Sequence, residues 1–252
     1  MKSFISLFNT KVFKIGLLVA LFITAAIIAI AMILGQEAGF FTIRVQNGEA
    51  LKSITLALDP EDEVNYSTNF NAASIDDFDQ TSPAYLFQSE GTKRFAKIME
   101  LHNGKAGDIS FDKTYGYSFY IVNTTSNNTD VTVRLTLTMN KDDGLSDAIR
   151  IMTYYEANGY QYFTVYQKTD TESKVYNEYQ EIEARNALKE FKQGQNEIFN
   201  DEEVMISGIS GSNYLRYTIL FWLEGEDPDC TEKILGKSAA FELRADVSGA
   251  GE

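Results

Sequence analysis

A chain of 252 residues carrying 22 basic against 36 acidic side chains has a formal net charge of −14, which sets its surface against nucleic acid and anionic lipid. One cysteine excludes an intramolecular disulfide framework, and one histidine excludes a histidine-rich catalytic zinc site. After an apolar amino-terminal stretch, about 210 residues remain, enough for one β-sandwich-sized domain with a real core.

In chain order, residues 1–14 form a short basic stub with Lys2, Lys11 and Lys14. Ile15 to Leu34 (IGLLVALFITAAIIAIAMIL) carries no ionisable group. At about 1.5 Å per residue, roughly 20 apolar residues in a helix cross a hydrocarbon core of about 30 Å. No acidic residue precedes Glu37, and the next basic residue is Arg44. The charge bias therefore places the amino terminus in the cytoplasm and the carboxy-terminal domain outside, a single-pass membrane topology. Ala29-Ile-Ala31 formally fits a signal-peptide cleavage site. The length of the apolar run favours an uncleaved signal anchor over the cleaved alternative. Without the three leading lysines the outer part holds 19 basic and 36 acidic residues.

The expected extracytoplasmic domain spans 39–252. Gly39 to Val45 is a β-prone run, with Phe40, Phe41, Ile43 and Val45 as candidate interaction residues, followed by a turn at Asn47-Gly48. Such a strand pairs either within its own sheet or at the open edge of a neighbour's. Leu51 to Leu58 alternates Ile54, Leu56 and Leu58 on one face, while Asp59 to Pro83 reads as a polar loop. Tyr85–Phe87 and Phe95–Met99 are expected to be short edge strands. Asp108–Phe111, Tyr115–Val122 and Val131–Met139 follow, the last two as a strand-turn-strand unit across Asn123–Asp130 with one wet and one dry face. Three Asn-x-Ser/Thr triplets, at Asn65, Asn123 and Asn127, read as polar turns in a bacterial chain.

A helical turn over Leu145–Ile149 precedes a hairpin of Arg150–Tyr155 and Tyr160–Tyr166, joined through Asn158-Gly159. Its tyrosines alternate inward and outward, and Tyr160 and Tyr162 are further candidate interaction residues. Near 172–195 the spacing of Ile182, Ala187, Leu188 and Phe191 predicts a small helical insertion. Tyr214–Leu223 is almost continuously apolar, as a central strand buried on both faces would be, and Ser238–Val247 alternates. Short strands without regular βαβ alternation give the fold class: an all-β, antiparallel, jelly-roll-like β-sandwich.

Glu224-Gly-Glu-Asp-Pro-Asp229 is the densest acidic turn, making Glu224, Glu226, Asp227 and Asp229 candidate ligands for a hard cation such as Ca²⁺. The alternative is a polar turn in which Asp227 and Asp229 cap backbone N–H groups around Pro228. His102 and Cys230 are the sole members of their kind. No His-Glu-x-x-His motif or convergent carboxylate pair is apparent, so an enzyme is not expected.

Trp222-Leu-Glu-Gly-Glu-Asp-Pro-Asp-Cys230, set between a hydrophobic strand and a closing strand, resembles the WLEG-x-DPDC signature of uncharacterised single-pass surface proteins from low-GC Gram-positive bacteria. The amino-terminal anchor, Tyr117–Asn123 and Leu145–Arg150 accompany it. More distantly, the layout is similar to the TasA and camelysin jelly-roll group. That resemblance implies a matrix-associated protein that self-assembles by lending an amino-terminal strand; the anchor departs from it. The expectation is a structural or adhesive surface protein, with a ligand-binding ectodomain presenting a sugar or peptide to a membrane partner as the alternative.

Overall fold

The computed structural model describes residues 41–46, 50–72, 80–81, 96–111, 114–125, 128–168, 187–191, 196–209, 211–225, 227–234 and 237–248. Contacts divide the chain at Ala38, with Gly39–Glu252 as one compact unit. The expected anchor at Ile15–Leu34 lies outside the described residues, as do Phe40, Glu226 and Tyr85–Phe87. No helix among the described residues is long and apolar enough to cross a membrane.

Two sheets pack face to face. The strands are β1 (Phe41–Val45), β2 (Ile54–Ala57), β3 (Asn69–Asn71), β4 (Gln80–Thr81), β5 (Gly107–Phe111), β6 (Thr114–Asn123), β7 (Val131–Asp142), β8 (Ile149–Ala157), β9 (Tyr160–Gln167), β10 (Ala187–Glu190), β11 (Glu197–Ile206), β12 (Tyr214–Glu224) and β13 (Ala239–Val247). The five-stranded sheet runs β11-β7-β13-β1-β3. The eight-stranded sheet runs β10-β9-β8-β12-β6-β2, with β4 beside β12 and β5 beside β6. Most pairs are antiparallel; β1 with β13, β10 with β9 and β4 with β12 are parallel. The helices are short: α1 (Ala50–Ser53) and α2 (Ala96–Asn103).

Alternation explains the layers. Val131, Val133, Leu135 and Leu137 of β7 and Phe41, Ile43 and Val45 of β1 point inward and meet Tyr217, Ile219, Phe221 and Leu223 of β12. Phe221 sits at the centre, 5.1 Å from Phe41 and 4.9 Å from Phe241 between ring centroids. β12 buries its other face too: Leu220 and Trp222 join Met152, Tyr154, Phe163 and Val165 in a second cluster with Ile98 of α2. The expected doubly buried central strand is thus present, and α2 supplies its outer cover. The β8–β9 hairpin also takes the expected form, with Asn158 at φ 53° and Gly159 at φ 76°, the left-handed pair that a two-residue hairpin turn requires.

Four local expectations are corrected. Phe95–Met99 is not an edge strand: Ala96–Asn103 is α2, whose buried Ile98 and His102, one turn apart, face the sheet. Leu51 belongs to α1, and Leu58 lies beyond β2 and is exposed. Ala187–Glu190, read as part of a helical insertion, is strand β10, because the β9 backbone offers a parallel partner from Thr164 to Gln167; the insertion upstream lies outside the described residues. Finally, β6 and β7 are not hairpin partners, since they belong to different sheets. The corner between them is pinned by Asn123, whose Nδ2 donates to Thr129 O at 2.8 Å and Ser207 O at 3.1 Å.

Candidate functional site

The outer face of the five-stranded sheet is polar by the same alternation that fills its inner face. Glu203 of β11 lies opposite Arg134 of β7, which lies opposite Asp246 of β13. One row along, Thr136 is opposite Arg244, itself opposite Arg44 of β1. The rows are tied across strands. Arg134 Nη2 donates to Glu203 Oε1 at 3.0 Å, Ser248 Oγ donates to the same oxygen at 2.6 Å, and Arg44 pairs with Glu242.

These rows form a trough of about 700 Å³. Its walls come from Glu197, Asn200, Asp201 and Glu203 on β11, Arg134 and Thr136 on β7, Arg244 and Asp246 on β13, and Gln46 just past β1. The volume falls within the roughly 300–1,000 Å³ range of small-molecule sites. Among the described residues no aromatic ring lines it, so recognition there would rest on hydrogen bonding and charge, with two guanidinium groups interleaved among four carboxylates. The sequence showed Arg134 and Thr136 as a wet face. It did not show β11, whose EIFNDEEVMI pattern is broken by register shifts between Glu197 and Phe199 and between Phe199 and Glu202.

In the acidic turn the described carboxylates Glu224 and Asp227 are buried, and Glu226 lies outside the described residues. Glu224 ends β12 with its backbone N–H on Ala148 O at 2.9 Å and is 1% exposed. Asp227 turns inward: Oδ2 takes a 2.6 Å bond from Arg150 Nη2, and Oδ1 accepts from the Asp229 N–H at 2.9 Å. Both side chains of that ion pair are 1% exposed. Asp227 therefore acts as a turn cap and a counter-ion, which accounts for an arginine inside the protein. Among the described residues no three metal-ligating side chains converge. Cys230 follows at 8% exposure; burial, with Asp227 and Glu224 nearby, pushes its thiol up to about 11.

His102 sits under α2 against the outer face of the eight-stranded sheet, its Nδ1 2.8 Å from Thr218 Oγ1 and its ring edge-on to Tyr154. Thr218 Oγ1 donates to Ser118 Oγ at 3.0 Å, and Arg216 Nε donates to the same atom at 2.8 Å. Burial, reinforced by Arg216, lowers the imidazole to about 4 and keeps it neutral. His102 thus contacts Thr218 and Tyr154, whereas Cys230 packs in the main core with Asp227 and Glu224 nearby.

The candidate interaction residues divide. Phe41, Ile43 and Val45 are core residues of β1, paired at home between β13 and β3. Tyr160 is half-exposed at the hairpin end, and Tyr162 stacks on Tyr155 at 4.9 Å and 7°. Between the sheets a group emerges that sequence reasoning missed altogether, the buried Glu202 of β11. Tyr217 Oη donates to its Oε2 at 2.9 Å, Thr153 Oγ1 to its Oε1 at 3.1 Å and Tyr166 Oη to its Oε2 at 3.4 Å.

Fold and site together define a class: a two-sheet β-sandwich carrying an open polar trough on one outer face. Compared with protein-family models, with curated proteins and with solved structures, the chain matches none.

Proposed function

We propose that the chain is a membrane-anchored extracellular surface protein that works by non-covalent adhesion, its sandwich held outside by the amino-terminal apolar segment. The observation that carries this reading is the trough. It is built on strands rather than loops, and it alternates donors and acceptors from β11, β7 and β13 on an open surface. The buried ionisable groups are engaged elsewhere: Asp227 with Arg150, Glu202 with three hydroxyls, His102 with Thr218. A binding role therefore needs no reacting group in the trough. The resemblance of Trp222–Cys230 to single-pass Gram-positive surface proteins agrees with this reading, as does the apolar run at Ile15–Leu34.

The test uses soluble protein from Gly39 to Glu252, the compact unit. It is incubated with sedimented cell-envelope fragments from a Gram-positive bacterium, with and without Arg134→Ala/Arg244→Ala. Co-sedimentation that falls at least fivefold in the double variant is expected. Equal sedimentation of both proteins, or none by either, would remove the trough from the reading. Light-scattering mass over a concentration series, in calcium and then in chelator, separates adhesion to another surface from self-association and tests the acidic turn as a Ca²⁺ site.

A further inference from the structure

β11 is an edge strand, and it is the long wall of the trough: Glu197, Asn200, Asp201 and Glu203 all line it. Its inner side should read as a continuous apolar row, and Ile198, Phe199, Val204 and Ile206 do. Glu202 interrupts that row. It lies opposite Leu135 of β7, in step with Val204 opposite Val133 and Ile206 opposite Val131, so the alternation of the strand carries a carboxylate into an apolar row just past two register shifts.

What faces it comes from every strand packed there. β8 presents Thr153 and, further off, Tyr155; β9 presents Tyr166; β12 presents Tyr217. From β10, Lys189 acts on it at longer range while lying 4.0 Å from Asp201 on the outer side. Three hydroxyls surround the carboxyl, and no cation is hydrogen-bonded to it among the contacts described. A hydroxyl can accept from a carboxylic acid as well as donate to a carboxylate, so the protonated side chain keeps its hydrogen bonds in this cage.

We propose that Glu202 is a proton-operated latch that holds β11, and with it one wall of the trough, against the eight-stranded sheet. Protonated, the side chain is a neutral member of a hydroxyl cluster and the edge lies closed. Ionised, it places a charge in the layer between the sheets, and the irregular edge strand is the element with slack to let it out. Burial pushes the carboxyl up to about 7, against the opposing pull of its hydrogen bonds from Tyr217 and Thr153. The switch therefore lies in the range a surface protein meets. Its consequence for ligand binding rests on the trough being the binding face; the latch itself does not.

The test is amide hydrogen exchange along β11 of the Gly39–Glu252 protein between pH 5 and 7, corrected for intrinsic exchange, with no ligand present. Because opening releases one proton, protection in β11 is expected to fall about tenfold per pH unit in the wild type, while α2 shows no such fall. Glu202→Gln, the neutral isostere, is expected to flatten that dependence. A flat wild-type profile, or the same slope in the variant, overturns the latch. Should the variant fail to fold, the ¹³C carboxyl titration of Glu202 in the wild type decides: a midpoint near 7 supports the proposal and one near 4.5 overturns it. An envelope-binding failure of the Arg134/Arg244 variant leaves these outcomes untouched and counts only against the trough.

Discussion

At the scale of single residues, two buried groups work against each other. Glu202 is raised from 4.5 to about 7 by burial, so the folded state binds its proton more tightly than the unfolded chain. Its favourable term is complete below about pH 4.5 and is lost as pH rises through 7. His102 is lowered from 6.5 to about 4, so its term is complete above about 6.5 and is lost as pH falls through 4. At about 1.4 kcal/mol per unit, each amounts to about 3 kcal/mol, with opposite sign. Between about pH 4.5 and 6.5 the two slopes cancel. Urea midpoints measured across that range are expected to show Glu202→Gln gaining stability as pH rises relative to wild type. A constant difference between the two proteins would refute the Glu202 assignment. The Arg150–Asp227 pair makes a second prediction. Asp227→Ala leaves a buried guanidinium without its counter-ion and is expected to cost about 3–5 kcal/mol by denaturant titration. The Arg150→Met/Asp227→Ala double variant should recover a large part of that loss.

At the scale of elements, β12 organises the fold. Its inner residues meet β1 and β13 across the sandwich, while Leu220 and Trp222 meet α2. The close approach of β6 depends on Gly116: a Cβ there would lie 2.2 Å from Ile219 O and 2.7 Å from a Leu220 methyl. Both strands are ladder-bonded at this point and cannot yield cheaply. Gly116→Ala is expected to destabilise by about 2–3 kcal/mol or more, read as a fall in thermal midpoint. β1 presents the complementary case. Ile43 is fully buried and lies opposite Leu243 and Phe70. Ile43→Ala should therefore cost about 2–5 kcal/mol in the monomer. A variant of unchanged stability that fails to associate would instead return this strand to the role of a donated one.

At the scale of the whole molecule, the acidic surface and the single buried cysteine describe a domain whose packed layers hold without a disulfide of its own. Cys230 is buried and forms no disulfide, and burial pushes its thiol up to about 11. Reductant is therefore expected to leave the thermal midpoint of the Gly39–Glu252 protein unchanged, and Ellman's reagent should react only after denaturation. A shift with reductant would mean an intermolecular disulfide and a different assembly.

The sequence by itself determined what depends on local periodicity. The all-β class, the β8–β9 hairpin at Asn158-Gly159, the doubly buried β12 and the alternating β7 and β13 follow from a side-chain period of two and from turn chemistry, both properties of a few consecutive residues. The polar rows of the trough were legible on β7 and β13 for the same reason. Only the tertiary structure decided the rest. It assigned β6 and β7 to different sheets, a choice made by Asn123 holding Thr129 and Ser207, neither of which adjoins it in sequence. It made Ala187–Glu190 a strand, because backbone hydrogen bonding to β9 outweighed a weak helical pattern. It placed Asp227 against Arg150, 77 residues away, as a buried counter-ion. It also showed Glu202 turned inward in step with Val204 and Ile206, with its carboxyl met by hydroxyls from β8, β9 and β12, partners that no local pattern records.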